Sequence, residues 1–284
     1  MTRHPGLSRL ATLLLLAFTL AASGCSHFGI GKLFGNHKEA ETETLPVDQL
    51  YAKAHSALEN GNLTRAQLYY KRLIARFPFG PYDEQAQLDL AYAQFKDSKY
   101  DDATSTIDRF IRTYPTHKHI DYAYYLRGLI NYNRENRLLA KLARLDSSQR
   151  DQGAPRQSFN DFGDLLRRYP NSRYAADARQ RMVYLREELA HHEISVGLYY
   201  LQHQAYVAAA NRGQYVIENF PQSRYDGDAL ALMAESYTRL GNQKLAADAK
   251  RVLQQNYPQH PWLTGNWPRG RGLVNRLNPF AGGQ

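Results

Sequence analysis

The stretch RYPNSRYAADA, residues 168–178, is written again with few changes as NFPQSRYDGDA, residues 219–229. Its centre is an aromatic residue followed by proline, and this pair occurs five times: Phe77-Pro78, Tyr114-Pro115, Tyr169-Pro170, Phe220-Pro221 and Tyr257-Pro258. Four residues after these prolines stand Tyr82, His119, Tyr174, Tyr225 and Trp262, and eight residues after the first four stand Ala86, Ala123, Ala178 and Ala229. This regularity indicates an internal repeat.

Small residues precede the prolines at intervals of twelve, as Ala54 and Ala66, Ala91 and Ala103, Gly197 and Ala209, and Ala234 and Ala246. This spacing is typical of the tetratricopeptide repeat, in which two helices cross closely at the small positions. Proline ends the second helix because it has no N–H to donate and restricts the residue before it. The sequence therefore predicts an all-α fold, a right-handed tetratricopeptide-repeat superhelix of five helix–turn–helix repeats over residues 47–258.

The third repeat departs from this spacing. Ser158 lies twelve residues before Pro170, but its small partner, Gly128, lies thirty residues earlier, on the far side of an insertion at about 133–157. The insertion ends in Gly-Ala-Pro, so we expect a loop. No proline interrupts residues 174–202, which predicts one long helix. That helix would link repeats 1–3, residues 47–170, to repeats 4–5, residues 171–260.

Both ends of the chain differ from the repeats. MTRHPGLSRL is basic, and the apolar run ATLLLLAFTLAA after it is too short to span a bilayer. This pattern is typical of a signal peptide, here residues 1–24. Cys25, the chain's one cysteine, follows directly, so we predict its lipidation and a flexible tether over residues 25–46. Residues 261–284 form a basic tail that contains glycine and proline.

Two blocks carry a family resemblance: RFPFGPYDEQAQLDLAYAQFK, residues 76–96, and TIDRFIRTYPTHKHIDYAYYLRGL, residues 106–129. They resemble the BamD family, also called ComL, the tetratricopeptide lipoproteins of the outer-membrane β-barrel assembly machinery. LDSSQRD in the insertion is similar to a loop of that family, with Asp146, Arg150 and Asp151 matching. Ser26, after the cysteine, fits sorting to the outer membrane.

The resemblance implies a lipid-anchored scaffold on the periplasmic face of the outer membrane. Such a scaffold recognises the C-terminal β-signal of unfolded outer-membrane proteins and docks to the BamA barrel and to accessory lipoproteins. The resemblance also places barrel docking in repeats 4 and 5, where Arg212 is the candidate residue; the alternative is a solvated surface arginine. A different envelope lipoprotein of the same fold, such as a peptidoglycan-associated scaffold or adaptor, remains the second hypothesis.

Tyrosine is abundant, with 21 in the chain. The first helix of each tetratricopeptide repeat lines the concave face, and an aromatic-lined groove suits a peptide that ends in an aromatic residue. The repeat spacing assigns six residues to this candidate groove, namely Tyr51, Tyr92, Phe95, Tyr122, Tyr125 and Tyr132. Aromatic residues at helical spacing are also ordinary core residues, so packing remains the alternative for each.

Enzyme chemistry finds little support in the sequence. His117, His119 and Asp121 have a spacing that could hold a metal, but a polar loop between repeats is the favoured interpretation. Glu187 and Glu188 are expected on a solvated helix face. The chain shows neither a nucleophile elbow nor a phosphate-binding loop. We therefore expect no enzyme and no cofactor. We also expect no nucleic-acid partner, because a secreted lipoprotein does not meet the genome.

Overall fold

The computed structural model describes residues 44–141 and 152–267. Within these ranges the chain forms ten α-helices and no strand, which confirms the predicted all-α tetratricopeptide-repeat fold. The helices are α1 Val47–Glu59, α2 Leu63–Arg76, α3 Asp83–Lys96, α4 Tyr100–Thr113, α5 Ile120–Lys141, α6 Gly153–Arg168, α7 Ala175–Gln202, α8 Tyr206–Asn219, α9 Asp226–Arg239 and α10 Gln243–Asn256. The predicted signal peptide, Cys25, most of the tether, Asp146, Arg150, Asp151 and the end of the tail lie outside the described residues.

The chain divides into two compact units, residues 1–86 and 87–284. In the first, α1 and α2 pack through five fully buried side chains: Leu50, Ala54, Ala66, Tyr70 and Leu73. The second unit holds a core that begins at α3 and α4 and a further core around α7, α8 and α9. None of the helices in residues 44–141 and 152–267 combines the length and apolar character needed to cross a membrane.

The small residues of the repeat spacing lie where the helices meet. Ser158 donates a hydrogen bond to the carbonyl of Gly128 at 3.0 Å, which brings α5 and α6 together across the insertion. A Cβ atom on Gly128 would stand 2.5 Å from the Phe162 ring, and one on Gly197 would stand 2.2 Å from Leu232. The alanines of the spacing are buried as well: Ala54, Ala66, Ala86, Ala91, Ala103, Ala123, Ala178, Ala209, Ala229, Ala234 and Ala246.

The second helix of every repeat ends one residue before an aromatic–proline pair. The aromatic residue leaves the helical region, with φ of −125° at Tyr114 and −136° at Tyr257. Its N–H still donates to the carbonyl four residues earlier, as from Tyr114 to Phe110 at 2.8 Å. This geometry follows from proline, which disfavours the α conformation in the residue before it.

The insertion in the third repeat is more helical than we expected. Helix α5 continues into it as far as Lys141, and α6 begins at Gly153, so Gly-Ala-Pro forms a first helical turn. The loop interpretation was wrong there because an N–H in the first turn has no acceptor within the helix, so Pro155 loses no bond. The predicted long helix is α7, which has 28 residues.

The first seven residues assigned to the basic tail also pack on the repeats. Residues Pro261–Thr264 form a short 3-10 helix, and Gly265 follows it with a φ of 73°. The indole N–H of Trp262 donates to Glu235 at 3.1 Å, and that of Trp267 donates to Asp228 at 2.6 Å. Both acceptors lie on α9, so residues 261–267 cover the side of this helix.

Candidate peptide-binding site

Tyr51 is the one predicted groove residue in the first compact unit. Its ring stacks on Tyr82 with centroids 4.7 Å apart and meets Tyr70 edge-on at 6.1 Å. Tyr82 follows the first aromatic–proline pair, and Tyr70 is fully buried. The visible role of Tyr51 is therefore packing against the joint between α2 and α3.

The other five predicted residues lie in the second compact unit, on α3 and α5. Each is half-buried and packs against the core formed by α3, α4, α5 and α6. Tyr92 and Phe95 meet with ring centroids 6.5 Å apart. A ring that rests on the core and still reaches solvent can serve both packing and ligand contact.

Helix α7 brings a further group of residues to these aromatics. Tyr174, directly before α7, stacks on Tyr125 at 4.7 Å and meets Tyr122 at 5.3 Å. Tyr132 meets Tyr184 of α7 at 6.2 Å. We call the whole set the tyrosine cluster: Tyr92, Phe95, Tyr122, Tyr125, Tyr132, Tyr174 and Tyr184.

An ionic pair lies beside the tyrosine cluster. The hydroxyl of Tyr125 donates to Asp177 at 2.6 Å, and the Nε atom of Arg181 donates to the same carboxylate at 2.6 Å. The guanidinium of Arg181 also lies over the Tyr132 ring, 4.7 Å from its centroid. The cluster therefore combines apolar ring faces with a positioned cation whose side chain is 28% exposed.

Sequence reasoning missed the contribution of α7. Tyr174 was recognised only as a joint residue, and Asp177 and Arg181 were not singled out. Their spacing of four residues on a helix was a usable signal, because side chains so spaced are neighbours.

The surroundings shift the pKa values of this site. Burial, followed by the hydrogen bond to Asp177, raises the pKa of Tyr125 to about 12. Burial also raises the pKa of Tyr122, with nearby Tyr92 and Tyr174 adding to the effect. Burial would raise the pKa of Asp177, but its hydrogen bonds from Arg181 and Tyr125 outweigh that and lower it. At neutral pH Tyr122 and Tyr125 are therefore uncharged, and the Asp177 carboxylate is ionised.

Arg212, the predicted docking residue, has a partner within the chain. Its Nη1 atom donates to Glu193 at 2.8 Å, and the second oxygen of Glu193 accepts from Arg156 at 2.9 Å. Only 1% of the Glu193 side chain is exposed, against 39% for Arg212. Arg156 also donates to the hydroxyl of Tyr215. The hydrogen bond from Arg212 to Glu193 raises the pKa of the arginine.

This arrangement refines both interpretations of Arg212. The arginine is not simply solvated, because it neutralises a buried carboxylate, and its part in docking stays a prediction. Sequence reasoning found neither Glu193 nor Arg156, since their meeting depends on how three helices pack.

The polar residues weighed for enzyme chemistry serve local structure. His117 accepts the N–H of His119 at 3.1 Å, and Asp121 accepts from Ser172 at 2.7 Å. Among the described residues, no group of three or more His, Cys, Asp or Glu side chains could hold a metal ion.

The expected solvated face was wrong for Glu187. Its side chain is 14% exposed and accepts both the backbone N–H and the Nε of Arg224, at 3.0 and 3.1 Å. The cause is the segment between α8 and α9, which contains Arg224 and lies against α7 at this point.

Comparison with known proteins decides the family. The family model YfiO, described as an outer membrane lipoprotein, matches residues 43–253. The chain is 53% identical over 251 residues to the outer membrane protein assembly factor BamD of Xylella fastidiosa strain 9a5c, covering 87% of this chain and 86% of that protein. The chain belongs to this family. The resemblance to the BamD family is thereby confirmed.

A more distant member supports the same assignment. The BamD protein of Neisseria meningitidis serogroup A is 43% identical over 256 residues, covering 90% of this chain and 94% of that protein. Among solved structures, a tetratricopeptide repeat protein from Parabacteroides merdae matches at 16% identity, covering 75% of this chain and 67% of that one, with a TM-score of 0.34.

Proposed function

We propose that this chain is a scaffold component of the outer-membrane protein assembly machinery and acts by binding, without catalysis. Its membership of the BamD family carries the proposal, since the matched relatives are named outer membrane protein assembly factors. Acylation of Cys25 would hold it on the periplasmic face of the outer membrane. Acyl chains favour the bilayer by about 0.8 kcal/mol per buried CH₂, and stable anchoring takes more than one chain.

In this proposal the tyrosine cluster receives the C-terminal β-signal of unfolded outer-membrane proteins. The half-buried rings are held in place by the core, so a peptide that packs on them orders few protein side chains. Arg181 donates two N–H groups to the carboxylate of Asp177, and its guanidinium lies over the Tyr132 ring. A guanidinium in this position suits a carboxylate or a carbonyl of an extended peptide.

Repeats 4 and 5 would dock the BamA-type barrel protein, with accessory assembly lipoproteins as further partners. Arg212 supports this part through its position on α8 and its partly exposed side chain. Its remaining donors can reach a partner while Nη1 stays on Glu193, because guanidinium carries five N–H groups. Docking through Arg212 therefore requires no rupture of the buried ion pair.

Site-specific photocrosslinking tests the peptide site. A crosslinker at Tyr184, which is 45% exposed, should capture a peptide that ends in an aromatic residue. The matched control is Tyr199, on the same helix and 57% exposed, roughly 22 Å further along α7. Equal capture at both positions, or capture at Tyr199 alone, would place the peptide elsewhere.

Co-purification tests the wider proposal. From detergent-solubilised membranes, the acylated chain should bring down a large β-barrel protein. Peptidoglycan fragments without a barrel would favour the second hypothesis, a peptidoglycan-associated scaffold. Mass spectrometry of the N-terminal peptide reports separately whether Cys25 is acylated.

A further inference from the structure

The five joints between helices allow a position-by-position comparison. The residue directly after each proline is exposed in every joint. Four of these residues are polar, namely Thr116, Asn171, Gln222 and Gln259, whereas the first joint has Phe79. Phe79 is 89% exposed, the largest exposure among the large apolar side chains of the described residues.

The backbone at Phe79 is also unfavourable for a phenylalanine. The N–H of Gly80 donates to the carbonyl of Phe77 at 3.0 Å, so Phe79 occupies the third position of a β-turn. Its φ of 63° lies in the left-handed region, where glycine and asparagine are preferred at this position. Neither burial nor backbone preference explains a phenylalanine here, which points to a partner outside the chain.

The outward face of α2 leads to this side chain. Ala66, Gln67, Tyr70 and Leu73 are buried on one side of the helix. Arg65, Leu68, Lys71 and Ala75 are exposed, and Phe79 comes four residues after Ala75 along the chain. The helix contains four basic residues and no acidic one. Apolar side chains interleaved with lysine and arginine suit an anionic lipid surface.

We propose that Phe79 and the exposed face of α2 rest on the anionic phospholipid surface of the membrane that anchors the chain. The inference goes beyond the proposed assembly function but rests on the proposed acylation of Cys25. The start of α1 lies only 22 positions (47 − 25) after Cys25 along the chain, a span of at most roughly 75 Å when fully extended. The first compact unit is thus the folded part nearest the anchor along the chain.

The test uses the acylated full chain in vesicles of phosphatidylethanolamine and phosphatidylglycerol. Because acylation consumes the thiol of Cys25, Phe79→Cys supplies a single thiol for an environment-sensitive dye. Gln222→Cys is the matched control, since it has the same φ of 63° in the equivalent turn and is exposed. We expect a blue-shifted emission, quenched by acyl-chain spin-labelled lipids, at position 79 and water-like emission at position 222.

Water-like emission at position 79 would overturn the proposal. So would a shift that appears only when an unfolded outer-membrane protein is added, because the contact would then be with polypeptide. Mass spectrometry of the N-terminal peptide separates both results from a missing acyl anchor. Co-purification of a barrel protein reports the assembly function separately from any of these outcomes.

Two further arms examine charge and strain. Reversing Arg65 and Lys71 to glutamate, or replacing phosphatidylglycerol by phosphatidylcholine, should reduce the quenching at position 79, and no change would overturn the electrostatic part. With the dye at Leu68→Cys, the change Phe79→Asn should remove quenching while Tm stays equal or rises, because asparagine tolerates this backbone. A marked fall in Tm would instead show that Phe79 holds the fold.

Discussion

Two of the carboxylates on helix α7 have opposite surroundings. Asp177, beside the tyrosine cluster, is 43% exposed and bound by Arg181 of its own helix and by Tyr125 of α5. Glu193, further along α7, is 1% exposed and bound by arginines from α6 and α8. Ion pairs at the surface contribute little to stability, whereas breaking a buried one is costly. We infer that the region around Asp177 can rearrange when a ligand binds. The ion pairs of Glu193 instead hold α6, α7 and α8 together.

The largest expected effect is at Glu193. Replacing it by alanine leaves Arg156 and Arg212 without their shared carboxylate and opens a cavity between α6, α7 and α8. We expect a loss of about 2–4 kcal/mol in the free energy of unfolding, measured by urea denaturation. Asp177→Ala is the control and should cost less than about 1 kcal/mol. Similar losses at the two positions would contradict the comparison.

Arg212→Glu should have the next largest effect on folding. It places a second carboxylate beside Glu193, so we expect about 1–3 kcal/mol of destabilisation before any partner is added. Arg212→Lys keeps one positive charge near Glu193 and is the better probe of docking. If docking needs the planar guanidinium, the lysine variant should lose binding to the barrel's periplasmic domains at nearly unchanged Tm. If the lysine variant binds as well as the parent chain, Arg212 does not contribute bidentate recognition to the interface.

Tyr132→Ala should act mainly on binding. Its ring is half-buried between Arg181 and Tyr184, and neither neighbour belongs to the fully buried core. We expect roughly tenfold to thirtyfold weaker binding of a peptide that ends in an aromatic residue, measured by fluorescence anisotropy. The Tm should fall less than in Phe162→Ala, which removes a fully buried ring. A fall as large as that of the core variant, or normal peptide binding, would assign Tyr132 to packing.

The smallest effect is the alkaline titration of Tyr125. Because its pKa is raised to about 12, the neutral hydroxyl is favoured in the folded state. The resulting stability is fully present below pH 10, the ordinary pKa, and is lost as pH rises through about 12. Subtracting the tyrosinate absorbance of Tyr125→Phe from that of the parent chain isolates this step. A step near pH 10 would show that Tyr125 lacks both its burial and its bond to Asp177 in solution.

The sequence was most informative where one residue type has one physical role. Alanine and glycine at the crossings and proline after each second helix follow from steric limits, so their positions predicted the ten helices. Gly-Ala-Pro at residues 153–155 misled us because the same residues suit a loop and a first helical turn. Composition alone does not separate these two.

The candidate site was harder to predict for a different reason. Tyr125 packs on Phe162 and also donates to Asp177, so its position in the repeat is consistent with core and with ligand surface alike. Glu187 accepts a hydrogen bond from Arg224, 37 residues later in the chain. Glu193 accepts from Arg156, 37 residues earlier, and from Arg212, 19 residues later. Only the packing of α7 brings these groups together. Helical periodicity predicts a face, but it does not predict which neighbour covers that face.

The segment after α10 has a consequence for the end of the repeat array. Trp262 stands four residues after Pro258, where each earlier joint places the residue that leads into a new repeat. Here the short 3-10 helix ends at Thr264. The indoles of Trp262 and Trp267 lie instead against the core residues Leu230 and Leu253. Without this segment, the last described repeat would expose an apolar surface to which other copies of the chain could bind. Residues 261–267 therefore cap the last described repeat and reduce the apolar surface through which it could associate with other copies.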